Sequence, residues 1–377
     1  MNSFTHFDLL PSIQATLAEK GLVTPTEIQM RTIPKLLMGN SVVGVAETGS
    51  GKTLAYALPI LHSLKNLENS GQAITEEGQP RAVVIVPTRE LGEQVSRVFK
   101  PFTHTTRLRV RTVLGGTTME IARRNIAGRF EILVATPGRL VQFLDRKLLN
   151  FQDVRTLVFD EVDQMLDQGF LPNAHQIVSH CPTERQLALF SATVSSAVQE
   201  LMNKLFTQAE VIRSLGSHKV VPSLTTKNCK VIDGKRFPVL EKVLNDVVKG
   251  GTLIFTNTRD QCNKLSNELR RKGVKCAIYR GEMNKVERRA NLKAFRDGSI
   301  EFLISTDLAS RGLDVEHVGR VINYHLPQHL ENYIHRVGRT ARAGRPGLVI
   351  NFVTERDKPL VDQLHGIRAE PRKNSAA

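Results

Sequence analysis

Ten short apolar runs, rich in Val, Ile and Phe, punctuate the chain, and each gives way to polar, Gly or Ser/Thr-rich residues. Five lie in the first part: SVVGV (41–45), AVVIV (82–86), EILVA (131–135), RTLVF (155–159) and QLALF (186–190). Five follow a gap: TLIFT (252–256), CAIY (276–279), EFLIS (301–305), RVINY (320–324) and LVINF (348–352). Each has strand length, and the stretches between most of them, such as RELGEQVSRVFKPF and QCNKLSNELRRKG, have helical character. Strands apolar along their whole length and alternating with helices form parallel sheets covered on both faces. The expected fold is therefore α/β, with two tandem parallel-sheet domains. The segment between the groups is rich in Gly, Pro, Ser and Thr and has no period, as expected of a linker. This predicts domains over 1–210 and 225–365, a linker over 211–224, and a short frayed tail over 366–377. The polar stretch NLENSGQAITEEGQP (66–80) is expected to be an exposed loop.

At 377 residues the chain is long enough for two cores, and 41% hydrophobic with 24% charged residues is a soluble globular composition. No apolar run is long enough to cross a bilayer, and MNSFTHFDLL lacks the pattern of a signal peptide. A cytoplasmic location is expected. Cys181, Cys229, Cys262 and Cys276 are widely spaced, without a CxxC pair, which fits reduced thiols rather than a zinc site. The net charge of +15 is uneven: residues 1–224 hold 23 Lys and Arg against 20 Asp and Glu, and residues 225–377 hold 29 against 17. Such an excess points to a polyanionic partner such as nucleic acid.

The run SVVGV leads into AETGSGKT (46–53) and then the helix-like LAYALPILHSL. A loop between strand and helix with this spacing turns backbone N–H groups toward a phosphate at the helix N-terminus. Gly49 and Gly51 give backbone freedom, Lys52 would reach the β- and γ-phosphates, and Thr53 would ligate Mg²⁺. Ala46 stands where the usual pattern has its first glycine. Downstream, RTLVF runs into Asp160-Glu161-Val162-Asp163. Asp160, at the end of a buried strand, suits a role at Mg²⁺, partly through water. Glu161 is placed to orient or deprotonate a water.

The ordered set of motifs resembles the DEAD-box ATP-dependent RNA helicases, from about Phe4 to about Val353. GLVTPTEIQ (21–29) is similar to the Q motif, with Phe4 upstream; AETGSGKT to motif I; PTRELGEQ (87–94) to Ia; Gly115-Gly116 to the GG element; and TPGR (136–139) to Ib. DEVD is similar to motif II and SAT (191–193) to III. In the second half LIFTNT (253–258), STDLASRGLD (305–314) and HRVGRTAR (335–342) are similar to motifs IV, V and VI. The resemblance implies RecA-like domains, RNA-stimulated ATP hydrolysis coupled to closure of the two domains, and local unwinding of short duplexes or remodelling of RNA–protein complexes. Ribosome assembly and mRNA turnover are both compatible settings.

Residue by residue, it implies that Thr26, Gln29, Ala46, Glu47, Thr48, Gly49, Ser50, Gly51, Lys52, Thr53 and Asp314 bind ATP, with Gln29 on the adenine edge and Phe4 stacked on the ring. Lys52, Asp160, Glu161, Arg339 and Arg342 would carry catalysis, the two arginines as fingers sharing one face if their segment is helical. Asp163, Ser191, Ala192, Thr193 and His335 would couple hydrolysis to closure, with Asp163 linked to the SAT or arginine elements. Pro87, Thr88, Arg89, Gly115, Gly116, Thr136, Gly138, Arg139, Arg259 and Thr306 would hold RNA by its backbone, with little reading of bases. The expected partners are RNA and specificity-giving proteins; a monomer is expected.

Several positions depart from the family pattern: Val162 for Ala in motif II, Val337 and Ala341 in motif VI, and Arg280 and Lys285 in and after RGEM (280–283). Val162 is expected to point into apolar packing. Two other readings remain, an ATP-gated RNA clamp with weak hydrolysis and a related DNA helicase.

Overall fold

The computed structural model describes residues 3–47, 49–166, 169–214, 224–281, 283–307, 315, 318–341 and 346–369. The chain divides into two compact units, Met1–Ser217 and His218–Ala377. The first contains β1 (Val42–Val45), β2 (Ala82–Ile85), β3 (Val110–Val113), β4 (Ile132–Ala135), β5 (Thr156–Asp160), β6 (Gln186–Ser191) and β7 (Glu210–Arg213). These form one sheet in the order β3-β4-β2-β5-β6-β1-β7, with every pairing parallel. The second contains β8 (Leu224–Lys230), β9 (Gly251–Thr256), β10 (Cys276–Tyr279), β11 (Phe302–Thr306), β12 (Val318–Asn323) and β13 (Gly347–Val353). Its parallel sheet runs β10-β11-β9-β12-β13-β8.

Alternation along each central strand feeds two apolar layers, because successive side chains leave opposite faces of a sheet. In β2, Ala82 and Val84 join the core beneath the helix Lys52–Asn69, while Val83 and Ile85 join the core on the other face. Gly44 has a steric reason: a Cβ there would stand 2.6 Å from the Phe190 ring of β6. The second unit repeats the plan, with Ile254 and Ile304 on one face and Leu253 and Leu303 on the other.

All ten apolar runs are strands, and three further strands occupy sheet edges: β3 and β7 in the first sheet and β8 in the second. The linker expected over 211–224 narrows, since residues 211–213 belong to β7 and Leu224 opens β8; residues 215–223 lie outside the described residues. The stretch expected as a loop over 66–80 begins inside the helix Lys52–Asn69, and Ile74 within it is buried. The tail from 366 also starts in a helix, Lys358–Ala369. No helix among the described residues is long and apolar enough to cross a membrane. The four cysteines are free thiols, and burial pushes Cys181 and Cys262 up to about 12.

Candidate nucleotide and nucleic-acid sites

In a parallel sheet all the loops that leave strand carboxyl ends gather on one edge, which is where ligands of open α/β sheets bind. The first unit divides that edge by strand order. AETGSGKT leaves β1, DEVD ends β5 and SAT ends β6, and these three strands are consecutive neighbours, β5-β6-β1. PTR leaves β2, TPGR leaves β4 and Gly115-Gly116 follows β3, and these are neighbours too, β3-β4-β2. The two groups of loops therefore leave adjacent halves of one sheet.

The phosphate loop is folded onto itself. Gly49 and Gly51 take positive φ values of 88° and 90°. Gly51 caps the helix Lys52–Asn69, and a Cβ there would stand 2.4 Å from Gln29 Nε2. Lys52 Nζ donates to the carbonyls of Ala46 at 2.6 Å and Glu47 at 3.1 Å, and Ser50 Oγ donates to Glu47 O at 2.7 Å. The Ala46 amide donates to Ser191 O, tying the loop to the end of β6. Burial raises the Glu47 carboxyl above its ordinary value, with Lys52 opposing. Thr48 lies outside the described residues.

Gln29 straps the opening segment to this loop. Its Oε1 accepts from the Thr26 amide at 2.9 Å, and its Nε2 donates to Gly51 O at 2.9 Å. Both amide atoms thus have backbone partners, which an adenine edge would replace. Phe4 is 3% exposed and packs edge-on against Phe7 at 5.9 Å.

Asp160 is buried at the end of β5, and its Oδ2 accepts from the Tyr56 hydroxyl at 2.8 Å. Its Oδ1 is buried without a hydrogen-bond partner. Burial raises this carboxyl to about 6, Lys52 opposing and Glu161 adding to the rise. A buried carboxylate oxygen with no donor is a ligand that a hard cation can use. No group of three or more His, Cys, Asp or Glu poised for a metal occurs among the described residues. A cation held by Asp160 and Thr53 would therefore draw its remaining ligands from phosphate and water, the normal habit of Mg²⁺.

Glu161 sits in the left-handed region at φ 54° and is held by Gln164 Nε2 at 3.3 Å. A non-glycine residue there carries strain of order 1 kcal/mol, which the packed flanks sustain. Val162 begins the short helix Val162–Leu166 and is fully buried in the apolar layer with Phe159, Val198 and Leu201. Its expected direction is the one observed. Asp163 Oδ2 accepts from the Ala192 amide, the Thr193 amide and Thr193 Oγ1, each at 3.1 Å, while Oδ1 accepts from the Gln164 amide. Ser191 Oγ donates to Thr193 O at 2.7 Å. Of the two links expected for Asp163, the structure shows the SAT one.

The neighbouring loops interlock. Gly115 N donates to Thr136 Oγ1 at 2.9 Å, Arg139 Nη2 to Thr117 O at 2.6 Å, and Arg89 Nη1 to Gly116 O at 3.4 Å. Thr88, after Pro87, caps the helix Arg89–Thr106, and Gly138 lies in the first turn of the helix Pro137–Asp145.

In the second unit, Thr306 ends β11 and is buried, while exposed Arg259 opens the helix Arg259–Arg271 behind a Thr258 cap. The helix Leu330–Val337 contains buried His335 and stops before the expected arginine pair. Gly338 is its C-cap, and Ala341 turns to φ 54°. Arg339 is buried and its Nε donates to His335 O at 3.3 Å. The helix on which a shared face for the two arginines was conditional ends at Val337; Arg342 and Asp314 lie outside the described residues. Arg280 is half-buried, with an inward Nε that has no hydrogen-bond partner, and Lys285 begins the helix Lys285–Arg296.

Two residues escaped the sequence reading. Tyr56 binds Asp160. Arg336, fully buried, pairs with Asp307 and donates to Asn257 Oδ1 at 2.8 Å and Asn323 Oδ1 at 3.2 Å. It joins the ends of β9, β11 and β12. Asp307, directly after the Thr306 already singled out, was the available signal, since a buried guanidinium needs a carboxylate.

Comparison with known proteins gives a consistent picture. The profile described as DEAD/DEAH box helicase matches residues 26–201, and that of the helicase conserved C-terminal domain matches residues 235–344. The chain is 33% identical over 373 residues to the DEAD-box ATP-dependent RNA helicase CshA of Geobacillus kaustophilus, covering 99% of this chain and 77% of that one. It is 35% identical to the DEAD-box ATP-dependent RNA helicase RhpA of Helicobacter pylori, covering 93% and 70%. Among solved structures, S. cerevisiae Dbp5 bound to RNA and ADP BeF3 superimposes with a TM-score of 0.85 at 27% identity, covering 99% and 95%. Mss116 bound to ssRNA and UDP-BeF gives 0.84 at 26%, covering 96% and 77%.

Proposed function

The chain belongs to the DEAD-box family of ATP-dependent RNA helicases, and from that premise we propose how its own residues divide the work. The carrying observation is the strand order of the first sheet, with phosphate-site loops on β5-β6-β1 and backbone-gripping loops on β3-β4-β2.

ATP entry would move Lys52 Nζ from the carbonyls of Ala46 and Glu47 to the β- and γ-phosphates, where loop amides at the helix N-terminus would add donors. Gln29 would exchange its Thr26 and Gly51 partners for the adenine edge, keeping a donor and an acceptor satisfied. Asp160 Oδ1 and Thr53 would hold Mg²⁺, which when bound neutralises charge on the phosphate oxygens. Glu161 orients the attacking water and accepts its proton, with Gln164 fixing the carboxylate. Asp163 transmits the change at DEVD to SAT through its three bonds to Ala192 and Thr193. Arg339 and Arg342, carried by the second unit, would stabilise charge on the transferring phosphoryl group. With the required groups divided between units, RNA and ATP favour the same closed arrangement, so each strengthens the other's binding.

RNA would be held through its backbone by Pro87, Thr88, Arg89, Gly115, Gly116, Thr136, Gly138 and Arg139, with Arg259 and Thr306 adding contacts from the second unit. Backbone gripping gives sequence-tolerant binding and strains short duplexes locally. The setting we propose is a cytoplasmic monomer directed by protein partners, remodelling RNA–protein complexes in ribosome assembly or mRNA turnover.

Phosphate release measured with RNA and DNA of equal length tests the proposal. RNA is expected to stimulate more strongly, and Glu161→Gln is expected to remove at least about a hundredfold of the rate. Stronger stimulation by DNA would reverse the substrate assignment. RNA binding with an ATP analogue but no RNA-stimulated release would make the protein a clamp.

A further inference from the structure

Beyond the residues already given roles, one buried hydroxyl faces the acidic site. Tyr56 lies three residues after Thr53 and four after Lys52 on the helix Lys52–Asn69, so all three share a face. Its ring is 1% exposed and tilts against Phe190 of β6 at 5.4 Å between centroids. Its hydroxyl donates to Asp160 Oδ2 at 2.8 Å, while Asp160 Oδ1 has no hydrogen-bond partner. The two oxygens of one carboxylate are therefore differentiated, one tied to protein and one left open. A carboxylate at a strand end can otherwise rotate about its side-chain torsions, and a buried hydrogen bond to a charged oxygen restrains that rotation.

We propose that Tyr56 is a positioning residue for the cation site, its hydroxyl pinning one oxygen of Asp160 so that the other stays available to Mg²⁺. This rests on the reading that Asp160 serves Mg²⁺. It extends the phosphate-loop helix to a third working residue beside Lys52 and Thr53. Tyr56 touches neither nucleotide nor water in this role; it acts through Asp160.

Tyr56→Phe removes the hydroxyl and keeps the ring against Phe190. The readout is Mg²⁺ dependence of binding of a fluorescent ADP analogue to the full chain, measured without turnover, with metal-free binding of the same analogue as the folding control. The half-saturating Mg²⁺ concentration is expected to rise about fivefold, the equivalent of one net hydrogen bond, with metal-free affinity unchanged. Tyr56→Met, which also lacks the hydroxyl, repeats the measurement should the phenylalanine variant lose metal-free binding. Asp160→Asn separates the two layers of the argument. If Asp160→Asn raises the Mg²⁺ requirement and the Tyr56 variants leave it unchanged, the positioning role is overturned and the cation site stands. If Asp160→Asn also leaves it unchanged, the cation site itself is overturned.

Discussion

Replacing Val162 by alanine should cost stability while leaving the chemistry nearly intact. The side chain is fully buried in the layer with Phe159, Val198 and Leu201. Alanine removes two methyl-sized groups, about 1.6 kcal/mol of transfer free energy. A partly collapsed void adds about 1 kcal/mol, for a total of about 2 to 3 kcal/mol. Against a typical stability of about 5–15 kcal/mol the variant stays folded at room temperature. The neighbouring acids have their own anchors: Asp160 through Tyr56, and Asp163 through Ala192 and Thr193. RNA-stimulated phosphate release should therefore change less than tenfold. Urea unfolding of the first unit's transition and steady-state release at saturating ATP and RNA provide the two readouts. A rate change beyond tenfold at near-wild-type stability would refute the separation between packing and chemistry. An unchanged urea midpoint would show that the valine is overpacked, its removal relieving strain that offsets the lost burial.

Other outcomes follow from the same geometry. Asp163→Asn places an amide N–H against backbone donors of either SAT or Gln164; a loss of about 1–3 kcal/mol is expected, together with weakened RNA stimulation, read by unfolding and ATPase assays side by side. Asp160, raised by burial to about 6 in the folded chain from 3.8, binds its proton more tightly folded than unfolded. Its protonation therefore stabilises the fold below pH 4, and this contribution, about 3 kcal/mol, is lost as pH rises toward 6. Mg²⁺ held at Asp160 as proposed would compete with that proton, so Mg²⁺ affinity in the presence of ADP should fall below about pH 6 and level off above it; a flat titration from pH 5 to 8 would contradict this. Cys181 and Cys262, pushed up to about 12 by burial, should resist a thiol reagent at pH 8. Half-buried Cys229 on the edge strand β8 should react first, and rapid native labelling of two or more thiols would speak against the packing described.

What could be read from the sequence was set by burial. The ten runs found in advance are apolar along their length because layers cover both faces. The three missed strands lie at sheet edges: β3 carries Arg111 and Thr112, β7 is bounded by Glu210 and Arg213, and β8 reads LTTKNCK. Water on an edge relaxes the pressure for continuous apolar sequence, although the edge strand β10 (CAIY) keeps it. Lys52, Asp160, Glu161 and Asp163 could be singled out in advance because the phosphate, cation and water chemistry proposed for them would restrict the residue type at each position. Tyr56 was not legible, because its partner lies 104 residues away and a tyrosine in a helix looks like core until the strand behind it is placed. The packing of Phe4 was not legible either, because the core it joins is assembled from distant elements. The end of the helix in HRVGRTAR, with Gly338 as its C-cap, was also not legible in advance.

The pairing of β1 has a consequence for synthesis. The strand that carries the phosphate loop bonds only to β6 and β7, with Val42 opposite Ala188 and Glu210. Its partners emerge roughly 150 residues after it does, a wait of about 10–30 s at ordinary translation rates. Throughout that interval VVGV, buried in the finished sheet, has no place in the structure, and the nascent chain cannot yet bind nucleotide. Ribosome pausing or a holdase should therefore matter most before residue 213, and an arrested chain ending short of β6 should be aggregation-prone and silent toward ATP.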